Sequence, residues 1–371
     1  MRYFLRFILI FFIVYSSSVL ATWGLNMPIG VTDTSHDVYG LHMTVFYICV
    51  AIAIVVFGVM LWSIFYHRKS KGAQAAQFHG SVLVEIIWTI IPLVILVAMA
   101  IPATKTLIDM YDPTESDIDI QITGYQWKWH YKYIGEDISF FSVLTTPQEE
   151  IDNKTKKNPN YLLEVDNALV LPINKKIRFL FTSNDVIHAW WVPDLAIKKD
   201  AIPGFINESW TRINKPGIYR GQCAELCGMH HGFMPVVVQA VTEPEYESWL
   251  QQQKSAKQIE SSSVQKEWGM DELMTAGATV YQKNCAACHQ ANGLGLPPVF
   301  PALNGSAIAK GAISEHINVV VKGRLGTSMA AWGVQLSAVD IAAVITYERN
   351  SWDNKTGDIV TPADIQAVMD H

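Results

Sequence analysis

Cysteine is scarce in this sequence, with five residues in a chain of 371: Cys49, Cys223, Cys227, Cys285 and Cys288. Four fall in two tight clusters and Cys49 sits in an apolar run, so no framework of structural disulfides can be drawn. Charge is scarce as well. Asp, Glu, Lys and Arg make up 17% of the chain and leave a net charge of −6. With no basic excess or stripe, the sequence carries no electrostatic footprint for nucleic acid. It also lacks an internal repeat. What it has in quantity is apolar surface: 50% of its residues are hydrophobic, concentrated before residue 110.

That apolar excess has an order. The N-terminus reads MRYFLRFILIFFIVYSSSVLA, with Arg2 and Arg6 ahead of an apolar run that ends in Ser16, Ser17, Ser18 and Ala21. This is the pattern of a secretory signal peptide over 1–21, cleaved after Ala21; the competing reading is an uncleaved membrane helix. An anchor follows over 22–108, in which 42–66 and 83–102 are each long enough to cross a bilayer as a helix. Glu85 and Pro92 alone interrupt the second. The loop between them carries Arg68, Lys69 and Lys71 and no acid, which places it in the cytoplasm. Everything after residue 105 then faces outside.

From about residue 117 the hydrophobic period shortens. Stretches such as DIDIQITGYQWKWHYKY and KKIRFLFTS read as strands bounded by Pro, Asn and Gly. Residues 109–250 are therefore expected to form an all-β antiparallel sandwich or barrel, with ligand-bearing loops at one end. Residues 251–268 are polar and read as a linker. Residues 269–371 read as a small all-α domain, with Leu273, Met274, Ala278 and Tyr281 on one helix face and a second amphipathic helix over 339–350. The chain is thus a multidomain membrane protein.

The second cysteine cluster is Cys285-Ala-Ala-Cys288-His289. Two thiols three positions apart, followed at once by histidine, match two vinyl thioethers and one axial ligand of a covalent heme c. Cys-x-x-Cys alone also occurs in redox dithiols and zinc sites, but the helical frame and the GLGLPPVFPAL loop that follows favour heme. His289 is then the proximal ligand. Met329, in Gly326-Thr-Ser-Met329-Ala-Ala-Trp332, is the candidate on the opposite face, while Met270 and Met274 read as core. Histidine–methionine ligation suits electron transfer rather than oxygen binding, since both axial positions are filled. The segment resembles class I cytochromes c, except that Ala330 stands where those proteins often have proline.

The first cluster is Cys223-Ala-Glu225-Leu-Cys227-Gly-Met-His-His231-Gly-Phe-Met234, joined from upstream by His188 in Ser183-Asn-Asp185-Val-Ile-His188. Two thiolates, two imidazoles and a thioether select copper. Two cysteines with two histidines also suit structural zinc or a Rieske cluster. Zinc gives Met234 no role, and the Rieske pattern of two Cys–His pairs is absent.

This spacing closely resembles the binuclear CuA centre of the cytochrome c oxidase subunit II family, and the resemblance extends from about residue 39 to 250. It implies a cupredoxin-like, Greek-key fold in which Cys223 and Cys227 bridge two coppers. His188 and His231 would each take one copper, Met234 would be a weak ligand, and Glu225 would ligate through its backbone carbonyl. It implies further that Trp127, in Gly124-Tyr-Gln-Trp127-Lys-Trp129, receives electrons from a c-type cytochrome, although Lys128 replaces the family's usual aromatic. Lys199-Asp200-Ala-Ile-Pro203-Gly204 resembles the loop facing subunit I, where Glu225 would help hold Mg2+ and Asp200 could be an interface acid. Glu85 matches the mouth of a proton channel, although an acid there can also simply snorkel to the interface.

The expectation is an electron-input subunit of a bacterial inner-membrane cytochrome c oxidase, with both redox sites on the periplasmic face and oxygen reduced elsewhere. Its partners would be subunit I, subunit III, a cytochrome c donor and membrane lipid. The alternatives are a CuA subunit of a nitric or nitrous oxide reductase, and a membrane-tethered copper-binding or sensing module that relays no electrons. Quinol oxidase subunits share the fold but lack the copper ligands.

Overall fold

The computed structural model describes residues 26–74, 77, 79–324, 326, 327 and 329–370. The signal peptide expected over 1–21 lies outside the described residues. Two units emerge, one reaching Tyr246 and the other beginning at Glu247.

The first unit opens with two long helices, α1 (Asp33–Tyr66) and α2 (Val82–Met110), both long and apolar enough to cross a membrane. Each outruns the apolar stretch read from the sequence. α1 starts nine positions earlier because Thr32 caps it: the Ser35 N–H donates to Thr32 Oγ1 at 2.9 Å and the Thr32 N–H donates to Ser35 Oγ at 2.9 Å. This reciprocal cap satisfies two orphan amides and lets the helix begin in polar sequence. The preceding segment is fastened to the β-domain, with the Val31 N–H donating to the Asp194 carbonyl and the Asn214 N–H to that of Val31, both at 2.9 Å. At the far end of α2, Trp210 Nε1–H donates to the Asp109 carbonyl at 2.9 Å. Both outer helix ends therefore hold the domain that carries the site.

That domain is a cupredoxin-like sandwich of ten strands: β1 (Ile118–Tyr125), β2 (Lys128–Tyr133), β3 (Ile138–Ser142), β4 (Leu169–Pro172), β5 (Ile177–Ser183), β6 (His188–Val192), β7 (Ile197–Ala201), β8 (Asn207–Thr211), β9 (Gly217–Cys223) and β10 (Pro235–Val241). One sheet has the order β3-β2-β1-β5-β8, the other β4-β10-β9-β6-β7. The expected purely antiparallel arrangement is corrected here, since β1 pairs with β5, and β4 with β10, in parallel. Those pairs join strands far apart in sequence, which local periodicity does not report. In β5, Ile177, Phe179, Phe181 and Ser183 are buried while the residues between them are half-buried. Phe179 and Phe181 pack on Trp190 with ring centroids 5.5 and 5.9 Å apart. Each such side chain contributes about 1.5–3 kcal/mol through burial, so the floor beneath the site is rigid.

The stretch read as a polar linker is largely helical: α3 (Glu243–Val264) covers it up to Val264. Its Gln, Lys, Glu and Ala residues favour helix, but without an apolar stripe the sequence showed no period.

The second unit contains α4 (Met270–Asn284), the short turn α5 (Ala286–His289), α6 (Ile313–Lys322), α7 (Ala338–Asn350) and α8 (Pro362–Met369). α4 crosses α7 closely at Gly277, where an added Cβ would stand 2.1 Å from the Ala343 carbonyl oxygen. Only glycine permits that approach.

Candidate metal centre and heme cavity

In the first unit the site is built where β6 begins and β9 ends, so two of its donors sit on strands rather than on loops. His188 and Cys223 are the terminal residues of those strands, and the register pairs Trp190 with Cys223. Cys223 Sγ lies 4.0 Å from His188 Nδ1 and 3.8 Å from Cys227 Sγ, and Cys227 Sγ lies 3.5 Å from His231 Nδ1. The four donors thus gather around one sulfur pair and form a row only in chain order. His188, Cys223 and Cys227 bring their ligating atoms within 4.8 Å of one another and are buried.

The remaining candidates fall beside this row. Cys223 Sγ is 3.4 Å from the carbonyl oxygen of Glu225, whose residue is otherwise exposed. Met234 is 1% exposed, and its carbonyl accepts from the Cys223 N–H at 3.0 Å. Among the thiols, burial opposes ionisation of Cys223 but His188 and nearby N–H donors bring it below the usual range. Burial, with the charge of Cys223 next, pushes Cys227 up. Soft sulfur flanked by imidazole in a dry pocket fits copper.

Several residues that sequence reasoning left without a role support the row. Asp185 Oδ1 stands 2.8 Å from His188 Nε2, which fixes the ring and leaves Nδ1 toward the sulfurs. Asp185 is itself held by the Gln126 N–H at 2.7 Å and the Val186 N–H at 2.7 Å. Burial works against its charge, yet these bonds keep its carboxyl below the ordinary carboxylate range. Trp129 is fully buried edge-on to His188, with centroids 5.9 Å apart. Gly124 leaves room for that ring, because a Cβ there would meet His188 Cδ2 at 2.7 Å. The proximity of Asp185 to His188 in sequence was the available signal; the contacts of Trp129 and Gly124 had none.

Trp127 was expected in a strand. It lies instead in the two-residue turn between β1 and β2, half-buried, with Nε1–H donating to the Cys227 carbonyl at 3.2 Å. Gln126 Nε2 donates to the same oxygen at 2.8 Å. Asp200 lies on β7, opposite Ala189 and next to the His188–Ala201 pair. Glu85 lies in the first turn of α2, where the helix dipole favours an acid.

In the second unit a cavity opens against α5, lined by Cys285, Cys288, His289 and Met329 together with apolar groups such as Phe300 and Val320. The Cys288 and His289 N–H groups both donate to the Cys285 carbonyl, at 3.1 and 2.9 Å, which puts both thiols and the imidazole on one helical turn. His289 Nδ1 is 2.9 Å from the Pro301 carbonyl oxygen, leaving Nε2 free to bind a metal. Burial pushes both thiols up. Met270 and Met274 do not line the cavity. An apolar slot with two thiols and one anchored imidazole on its wall, and a thioether also lining it, fits a covalent heme.

Residues 118–241 match the periplasmic domain of cytochrome c oxidase subunit II, and residues 20–106 match its transmembrane domain. Residues 272–347 match subunit III of the cbb3-type cytochrome c oxidase. The probable cytochrome c oxidase subunit 2 of Rickettsia conorii is 39% identical over 247 residues, covering 65% of this chain and 77% of that protein. Subunit 2 of Cereibacter sphaeroides is 38% identical over 231 residues, covering 58% and 76%. The periplasmic domain of subunit II from Bradyrhizobium japonicum, a solved structure, is 40% identical with a TM-score of 0.35, covering 39% of this chain and 99% of that one.

Proposed function

This chain belongs to the cytochrome c oxidase subunit II family, with a cytochrome c domain fused on its C-terminal side, and from that premise we propose that it is the electron-input subunit of a terminal oxidase. It serves an oxidoreductase complex in which subunit I reduces oxygen to water, with subunit III alongside. When bound, a heme c and a binuclear CuA centre supply one-electron redox chemistry, in the order cytochrome donor, heme, copper, subunit I.

The observation that carries the reading is the row His188–Cys223–Cys227–His231, with the two sulfurs 3.8 Å apart. Cys223, Cys227, His188 and His231 would hold the copper centre as its principal donors, with Met234 and the Glu225 carbonyl beside them as weaker ones. Asp185 holds His188 in the tautomer that keeps Nδ1 available, and Trp129 excludes water behind it. Trp127 offers a route inward, because its indole N–H bonds the carbonyl of a thiolate ligand. Cys285 and Cys288 would attach the heme covalently, and His289 and Met329 would hold its iron. The exposed Glu225 carboxylate is available to a Mg2+ shared with subunit I, and Glu85 stands at a proton-channel mouth. The hairpin sits in the bacterial inner membrane with both sites periplasmic.

The test is stepwise reduction of the purified full-length protein by a reduced c-type cytochrome. The heme spectrum should change first and the copper spectrum second. Copper that fails to follow heme would leave a metal-binding module in place of a relay.

A further inference from the structure

Among the side chains that line the heme cavity, one histidine and one glutamate are buried and have no part in heme attachment or ligation. His316 on α6 and Glu348 on α7 both line it, with side-chain exposures of 2% and 5%, and His316 Nε2 is 2.9 Å from Glu348 Oε2. His316 Nδ1 has no hydrogen-bond partner among the described residues. A buried pair of this kind is weak as a stabilising device, because desolvation offsets most of the Coulomb attraction. Two apolar side chains of the same size would fill the wall as well, so the pair calls for another reason.

The charged and titratable groups around the pair are few. Tyr281 on α4 and Cys285, Cys288 and His289 at α5 face the same interior, and Arg324 lines the cavity beyond α6. Arg349, next to Glu348 on α7, is committed to Asp358 and to the carbonyls of Ala309 and Gly311. His316 is therefore the one side chain hydrogen-bonded to the Glu348 carboxylate among the described residues. The carboxylate's field reaches the attachment motif: after burial, it is the next cause that pushes the Cys285 thiol up.

The pair can hold one proton or two. With one, on Nε2, it carries a net charge of −1 and Nδ1 is a bare lone pair; a second proton has a place on Nδ1 and makes the pair neutral. We propose that the His316–Glu348 pair takes up one proton from solvent when the heme of this cavity gains an electron, so that electron input is proton-coupled. The proposal rests on the heme reading of Cys285, Cys288 and His289. The electron would come from a reduced c-type cytochrome and would lower by one the charge of the iron in a bound heme. The proton comes from water and forms an N–H bond on the imidazole. Less positive charge beside the pair raises its proton affinity, and by reciprocity protonation of the pair favours the reduced heme.

The test is a redox titration of the full-length holoprotein across roughly pH 5–9. Over part of that range the reduced-to-oxidised ratio at fixed applied potential should fall, approaching tenfold per pH unit, equivalent to 59 mV for a one-electron couple. The double variant His316→Gln, Glu348→Gln, with heme still attached and sulfur-ligated, should lose that slope. A flat wild type overturns the proposal, and so does an unchanged slope in the variant, which would assign the proton to the heme's own propionates. Should the double variant fail to take up heme, the single variant His316→Gln, whose amide can still bond the Glu348 carboxylate, decides instead: loss of the slope with sulfur-ligated heme supports the pair, and an unchanged slope sinks it. A wild type without covalent heme on a denaturing gel is a separate result, which overturns the heme reading itself.

Discussion

At the scale of single residues, the copper site depends on who holds the ligands as much as on the ligands themselves. Cys223 and Cys227 stand 3.8 Å apart, and each also has an imidazole nitrogen within 4.0 Å. Under the proposed function, replacing either cysteine with serine would remove a sulfur donor that a pair of coppers would share. The expected outcome is loss of the mixed-valence copper EPR signal with heme still attached; a normal two-copper signal in Cys223→Ser would refute the assignment. Asp185 acts one step away, through its 2.8 Å contact with His188 Nε2. Asp185→Ala should weaken copper about 10–100-fold, the usual effect of losing such a support. Competition against a chelator measures it, and wild-type affinity in the variant would show that the carboxylate only trims the loop.

At the scale of elements, the β1–β2 turn joins the protein surface to the backbone of Cys227. Gly228 makes that junction possible: its φ is +117°, and an added Cβ would meet Gln126 Nε2 at 3.0 Å and Trp127 Cζ2 at 3.1 Å. Gly228→Ala should cost about 1 kcal/mol or more and slow reduction of the copper by an external donor. Unchanged rates with a displaced Trp127 fluorescence would remove the indole from the route. Strand β2 carries a pH dependence of its own. Burial, helped by Lys132 and Lys128, lowers the pKa of His130 to about 4, whereas the unfolded chain titrates near 6.5. The unfolded state then binds more protons between those values, so stability is full above pH 6.5 and declines as pH falls toward 4. Melting temperatures of wild type and His130→Gln should converge in that window as acidity rises, and parallel curves would exclude His130 as the cause.

At the scale of the whole molecule, the two cofactor sites are built by separate units, each with its own core. The heme cavity is lined by residues 284–348, and the copper donors all precede residue 235. Stripping copper with a chelator should therefore leave the heme attached, reducible and unshifted in spectrum, while copper reduction disappears. A heme spectrum that changes with copper removal would mean the sites share structure. The two long helices fasten the first unit through Thr32, whose hydroxyl donates to the Leu195 carbonyl, and through Val31 and Asp109, so the anchor and the copper domain are connected by hydrogen bonds at both outer helix ends as well as by the chain.

The sequence by itself determined the chemistry and its order along the chain. Ligand type and spacing are local, so Cys223, Cys227, His231, Cys285, Cys288 and His289 could be read as donors, and long apolar runs announced the two helices. Only the tertiary structure decided what holds those donors. The parallel pairings of β1 with β5 and β4 with β10, the bond from Trp127 to the Cys227 carbonyl, and Trp129 against His188 all join segments distant in sequence, which periodicity does not encode. The helical turns over residues 251–264 escaped notice because that stretch has no apolar stripe to set a period. The pairing of His316 with Glu348 has no motif at all. It exists because α6 and α7 bring two lone ionisable groups to one wall of an apolar cavity, where each has the other to bond.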